Sequence, residues 1–305
     1  MVLAGLASVT RAAIERVVVK NFAVPSGGMF KIDTCQGAIR IESSPDNLIH
    51  VLVRQTMAVD SETDADRRLK DLDLQFEAAT TQVTVKARYR RAVRWAWENW
   101  PPVALAFVVK VPRACSLDLI TPEGDITVGS LDGSVVARTG NGAIFTGEIK
   151  GSVRAMSMRG DVSVTACAGE LILTAKAGNV LVGRAGGLTK IEGSGGTIDI
   201  QRSRGNLYVD GDNSDVRISF VHPLTEGSEL RAAGGDIEVV FDQRSACTLS
   251  VSASMFGEVK AKNLSLKVES GKIGSSRVIG SLNGGGPKVL VNASGGSVRL
   301  MGSEP

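Results

Sequence analysis

From Ile126 to Val209 the apolar side chains recur in pairs one residue apart: Ile126 and Val128, Val135 and Ala137, Ile144 and Thr146, Val153 and Ala155, Val162 and Val164, Leu171 and Leu173, Val180 and Val182, Ile198 and Ile200, Leu207 and Val209. A spacing of two places both members on one face of a strand and sends the residues between them, such as Thr127, Arg154, Ser163 and Asp199, to the other. Each pair starts two residues after a glycine, and these glycines fall every ninth residue, at Gly124, Gly133, Gly142, Gly151, Gly160, Gly169, Gly178, Gly187, Gly196 and Gly205, with Ser214 in the next slot. One short strand plus one glycine turn with positive φ fills nine residues. Such a unit buries its apolar face only against its neighbours, so the predicted fold is all-β, a β-solenoid or β-helix of nonapeptide strand-turn repeats.

Stacked positions should share a chemistry, which fixes the coil length. Thr139, Ser157, Ala175 and Gly193 are all small, whereas Ser130, Glu148, Ala166 and Arg184 are not. Grouping the nonapeptides in twos keeps this contrast and grouping them in threes blurs it, so a coil of about 18 residues with two strands is expected. On that register one outer face stacks Val136, Arg154, Ile172, Lys190 and Tyr208, and the other Thr127, Phe145, Ser163, Leu181 and Asp199. Intrachain cover is expected for the large apolar residues Phe145, Ile172 and Leu181.

Outside this run the pattern stays β-like. Strands are predicted at 15–24, 29–34, 38–42, 48–57, 81–89 and 103–111, and one short charged helix at about 62–71. After Ser219 the period loosens and returns at Gly235-Asp236-Ile237 and Gly296-Ser297-Val298. The organisation expected is one continuous domain: residues 1–112 an irregular N-terminal β cap, 113–219 the regular coils, and 220–305 irregular C-terminal coils.

Composition narrows the class. The chain has 305 residues, 35 of them glycine, only 13 aromatic (8 Phe, 2 Tyr, 3 Trp), and a net charge of +3 with a pI near 8.7. That balance is too mild to point to nucleic acid. No apolar run reaches the ~18 residues of a membrane span, and the start, Met1-Val2-Leu3-Ala4-Gly5-Leu6-Ala7-Ser8, lacks a basic region and the length of a whole signal peptide.

The strand pair around Gly37-Ala38-Ile39, the strand end at Val111-Pro112 and the recurring Gly124-Asp125-Ile126, Gly160-Asp161-Val162 and Gly235-Asp236-Ile237 form a wider pattern with the closing Gly284-Gly285-Gly286 and Gly295-Gly296-Ser297-Val298. Together they resemble the bacterial "putative adhesin" β-strand-repeat family, a domain of unknown function. The resemblance spans roughly residues 15–305. It implies a one-domain β-solenoid, often at the envelope or surface, and brings no catalytic residues.

Few residues suggest chemistry. Aspartates follow the repeat glycine at Asp125 and Asp161 but not at Ser134, Ala143 or Ser152, so no calcium cage of the β-roll kind is expected. Gly140-Asn141-Gly142 and Gly193-Ser194-Gly195-Gly196 read as turns, since a phosphate cradle wants a helix directly after it. Cys35, Cys115, Cys167 and Cys247 form no C-x-x-C pair and read as free buried thiols. His50 and His222, the two histidines, sit in no recognisable nucleophile or metal setting, and Asp199, Asp215 and Arg217 are the outward cluster nearest to an acid-bearing groove. One segment goes beyond scaffold: residues 86–102 hold all three tryptophans between two strands. Arg90, Arg91, Arg94, Trp95, Trp97 and Trp100 are the candidate ligand or partner patch, against the plain alternative that the tryptophans plug the end of the stack. The reading is a non-enzymatic binding protein, adhesin-like, of the bacterial cell envelope or exterior, with the cytoplasm still open. A protein or glycan partner and weak self-association are expected, without cofactor, metal or nucleic acid. The competing reading is an intracellular structural or polymer-forming β-helix scaffold.

Overall fold

The computed structural model describes residues 13–90, 101–254 and 256–303. Within them the chain is all-β apart from one short helix, and its strands form two large, mostly parallel sheets of 13 and 14 strands. The helix, Glu62–Lys70, starts where Ser61 Oγ accepts the Asp64 N–H (3.1 Å), with acids in its first turn and bases in its last, both favourable to the helix dipole.

From Ser116 to Phe241 successive strands alternate between the sheets, and those up to Phe220 each pair in parallel with the strand two places later. Val135 opposes Val153, Val153 opposes Leu171, and Val162 opposes Val180, each pair 18 residues apart, the separation that also joins Asp161 to Asn179 at a corner. One file of buried side chains therefore runs through Leu117, Val135, Val153, Leu171 and Thr189, and another through Ile126, Ile144, Val162, Val180 and Ile198. Both predicted outer stacks hold in register, but their apolar members are not all covered: Phe145 is 44% and Leu181 40% exposed.

The turns between strands are held by side chains reaching to the turn two strands later or beyond. Asp125 Oδ1 accepts the Ala143 N–H (2.8 Å), Asp161 Oδ1 that of Asn179 (2.7 Å), Asn179 Oδ1 that of Thr197 (2.9 Å), Asp215 Oδ1 that of Asp236 (3.0 Å), and Asp236 Oδ1 that of Ser297 (2.9 Å). The Asp of the Gly-Asp-Ile/Val motif thus satisfies a backbone donor that no strand pairing reaches. Inside, the hydroxyls of Thr139 and Ser157 donate to the carbonyls of Gly124 and Gly142 (2.9 Å each), which explains the small polar residues stacked there. The glycines divide by corner. Gly142 has φ +154°, as the turn reading expects, whereas Gly151 does not have positive φ. Its need is close approach: a Cβ there would sit 2.7 Å from the Gly133 carbonyl oxygen.

The two ends depart from chain order. Met29–Thr34 and Ala38–Ser44 lie directly against Ser116–Glu123 and Ile126–Val128, with Gln82–Tyr89 and Ala104–Pro112 outside them. Antiparallel strands then finish each sheet, Leu72–Ala78 on one and Leu48–Met57 with Ile14–Ala23 on the other. At the far end Lys288–Ala293 inserts between Ser228–Ala233 and Cys247–Ala253, and Val298–Gly302 between Ile237–Phe241 and Val259–Lys262. An antiparallel hairpin, Leu266–Gly271 with Arg277–Leu282, ends the 14-stranded sheet.

Candidate functional site

The regular offset breaks in one region. Between Ile200 and Ser203 the register of Thr197–Ser203 against Asp215–Phe220 shifts, and beyond it Val216 opposes Ile237 and Val209 opposes Leu230, an offset of 21. A bulge re-aims side chains, and three extra residues after Phe220 push the corner outward. The enlarged corner is firmly tied. Val221 N–H donates to Ser203 O (2.8 Å), Thr225 N–H to Arg204 O (2.8 Å) and Asp242 N–H to Phe220 O (3.0 Å). Just inside it, the buried rings of Phe220 and Phe241 stack at 5.4 Å.

The break opens a cleft of about 640 Å³ lined by Arg184, Arg202, Arg204, His222, Asp242 and Arg244 together with short backbone stretches between them. Four guanidiniums thus face one carboxylate. That carboxylate is already engaged: Arg244 donates Nε–H to Asp242 Oδ1 (3.0 Å) and Nη2–H to Oδ2 (2.9 Å), a fork that holds Asp242 far below the usual carboxylate range. Arg184 lies 3.9 Å from Glu148, an exposed pair of little energetic weight. Arg202 and Arg204 form no ion pair among the described residues. Chemically, the cleft presents planar donor forks to an oxyanion.

Of the predicted patch, Arg90 is described, 3.4 Å from Asp73; Arg91, Arg94, Trp95, Trp97 and Trp100 lie outside the described residues. His222 falls in the basic cleft. His50 sits between Asn21 Oδ1 (2.9 Å) and Asp46 Oδ2 (2.8 Å), while Ser44 Oγ donates to Asp46 Oδ1 (2.8 Å). Serine bonds the carboxylate rather than the imidazole, so this trio is not wired for nucleophilic attack. Around Asp199, whose carboxyl burial pushes up against the opposing pull of Arg217, the other groups are committed: Arg217 Nε–H donates to Glu238 (3.0 Å), and Asp215 and Asp236 accept backbone N–H groups. The four thiols are free; burial pushes Cys115 up to about 11 and Cys247 up to about 12, which keeps both protonated. No group of three or more His, Cys, Asp or Glu suited to a metal occurs among the described residues.

Sequence reasoning overlooked the four arginines. A signal was present, since Arg184 and Arg202 stand 18 residues apart and Arg202 and Arg204 immediately precede Gly205, the last glycine of the series.

No protein-family model matches the chain, and no curated protein matches it. Among solved structures it is similar to a "putative adhesin" from Bacteroides fragilis (11% identity over 93% of this chain and 97% of that one, TM-score 0.47). It is also similar to a "putative adhesin" from Parabacteroides distasonis (10%, 94% and 97%, TM-score 0.39). A third similar chain is a "putative lipid binding protein" from the same organism (8%, 93% and 96%, TM-score 0.42). At these identities and TM-scores the likenesses carry no functional argument.

Proposed function

We propose that the chain is a two-sheet β-solenoid with two nonapeptide units to each coil, acting as a non-enzymatic, adhesin-like binding protein of the bacterial cell envelope or exterior. The observation that carries the binding role is the placement of the basic cleft. The constant pairing offset, the buried files and the corner hydrogen bonds make the regular stretch a stiff wall, and the first change of that offset after Ser116 gathers four arginines in an open concavity. Insertions into a repeat map to loops on one face, often the binding face. The buried, protonated thiols and the committed carboxylates around Asp199 favour binding over catalysis. The antiparallel strands that finish both sheets at the N-terminal end, and one of the two at the other, disfavour end-to-end polymerisation.

Two measurements test this reading. Protease applied to intact cells making the native protein, with a lysed-cell control, is expected to remove it before lysis. Screens of purified protein on glycan arrays and matrix proteins are expected to find a ligand. Protection until lysis overturns the exterior placement, and an absence of binding to either class overturns the binding role.

A further inference from the structure

Resting on that binding role, we infer that the basic cleft holds a linear anionic polysaccharide laid across successive coils, its sulfate or carboxylate groups paired with the arginines. The spacing of the basic side chains carries the argument. Ala185 opposes Ser203 in register, so Arg184 and Arg202 lie on neighbouring strands. His222 follows the strand Asp215–Phe220, and Arg244 the strand Ile237–Phe241, the next two in the same sheet. Every strand of four in a row thus delivers a basic side chain to the cleft, at steps of about 4.8 Å along the stack and over roughly 14 Å in all. An isolated oxyanion meets one or two of these groups. A chain with repeated charges meets Arg184, Arg202 and Arg204, the guanidiniums not forked onto Asp242, and each further contact is made within an already formed complex.

Among the described residues the cleft is lined by no Phe, Tyr or Trp, its one ring being the His222 imidazole, and the net charge of the chain is only +3. Single-stranded nucleic acid binding normally uses such rings, so a glycan fits better.

The test is fluorescence anisotropy with a labelled sulfated octasaccharide. Competitors are inorganic sulfate, an unsulfated polyuronate octasaccharide and an oligothymidylate of matched charge. The variants are Arg202→Gln/Arg204→Gln and, as a control on the opposite wall, Arg154→Gln, all three arginines being exposed and outside any ion pair among the described residues. The inference expects the double variant to bind at least about tenfold more weakly, with a shallower dependence on salt and an unchanged urea midpoint, while Arg154→Gln binds as the parent does. Inorganic sulfate should compete only at far higher concentration. The sulfated and polyuronate arms then tell which anion the polymer carries. Octasaccharide binding that ignores the double variant, or oligothymidylate binding as tightly as the glycans, overturns the inference and leaves the binding role standing. Failure of both anionic glycans overturns it as well; whether the binding role falls too is decided separately by the wider screen.

Discussion

Thr146 is fully buried in a file that its register partners Val128 and Val164 occupy with valine, and its Oγ1 has no hydrogen-bond partner. An unpaired buried hydroxyl costs about 1–3 kcal/mol, and valine has the same branched shape. Thr146→Val is therefore expected to raise stability by about 1 kcal/mol in a urea titration; a fall would mean that the hydroxyl is satisfied. The next strand separates inside from outside. Val162→Asp places a charge with no counter-ion in the buried file and should cost at least about 3 kcal/mol. Asp161→Val removes only the bonds accepted from Asn179 and should cost about 1 kcal/mol. Equal losses in the two urea curves would contradict the inward and outward assignment. This alternation was legible in the sequence because it is local, fixed by the two-residue period of a strand. The role of Asp161 was not, since its acceptor geometry depends on Asn179, a full coil further along the chain.

Among the elements, the inserted pair Lys288–Ala293 and Val298–Gly302 has the most consequence. It buries Val289, Val291, Val298 and Leu300 between strands that precede both in sequence. Each such side chain is worth about 1.5–3 kcal/mol when fully buried. Removing residues 284–305 should therefore detach residues 247–282 while leaving the strands from Ser116 to Phe220 intact, because stability among stacked strands is passed between nearest neighbours. Limited proteolysis checks this: early cleavage confined to residues beyond Asp242 is expected, and a digestion pattern equal to that of the parent would contradict it. The individual strands were largely readable, with Met29–Thr34 and Leu48–Met57 at the expected residues. Leu72–Ala78 was missed despite its alternation of Leu72, Leu74 and Phe76, since it follows the helix with only Asp71 between them. The order of strands in the sheets was not readable at either end. A parallel partner is chosen by contacts distant in sequence, and local pattern does not encode which apolar pair stacks on which.

At the scale of the molecule, the same chain builds a uniform wall and one departure from it. The arginines of the cleft were visible as residues but not as a group, because their convergence needs both the bulge before Ser203 and the offset of 21 after Phe220. The sequence drew attention instead to the segment bearing the three tryptophans. The account places ligand binding at the break in the coil register, and amide hydrogen exchange with and without a saturating sulfated octasaccharide tests that placement most directly. The expected result is slowed exchange in residues 184–186, 202–206, 221–227 and 242–245, with the coils from Ser116 to Lys176 unchanged. Protection confined to peptides covering residues 86–102, with the cleft unaffected, would contradict it.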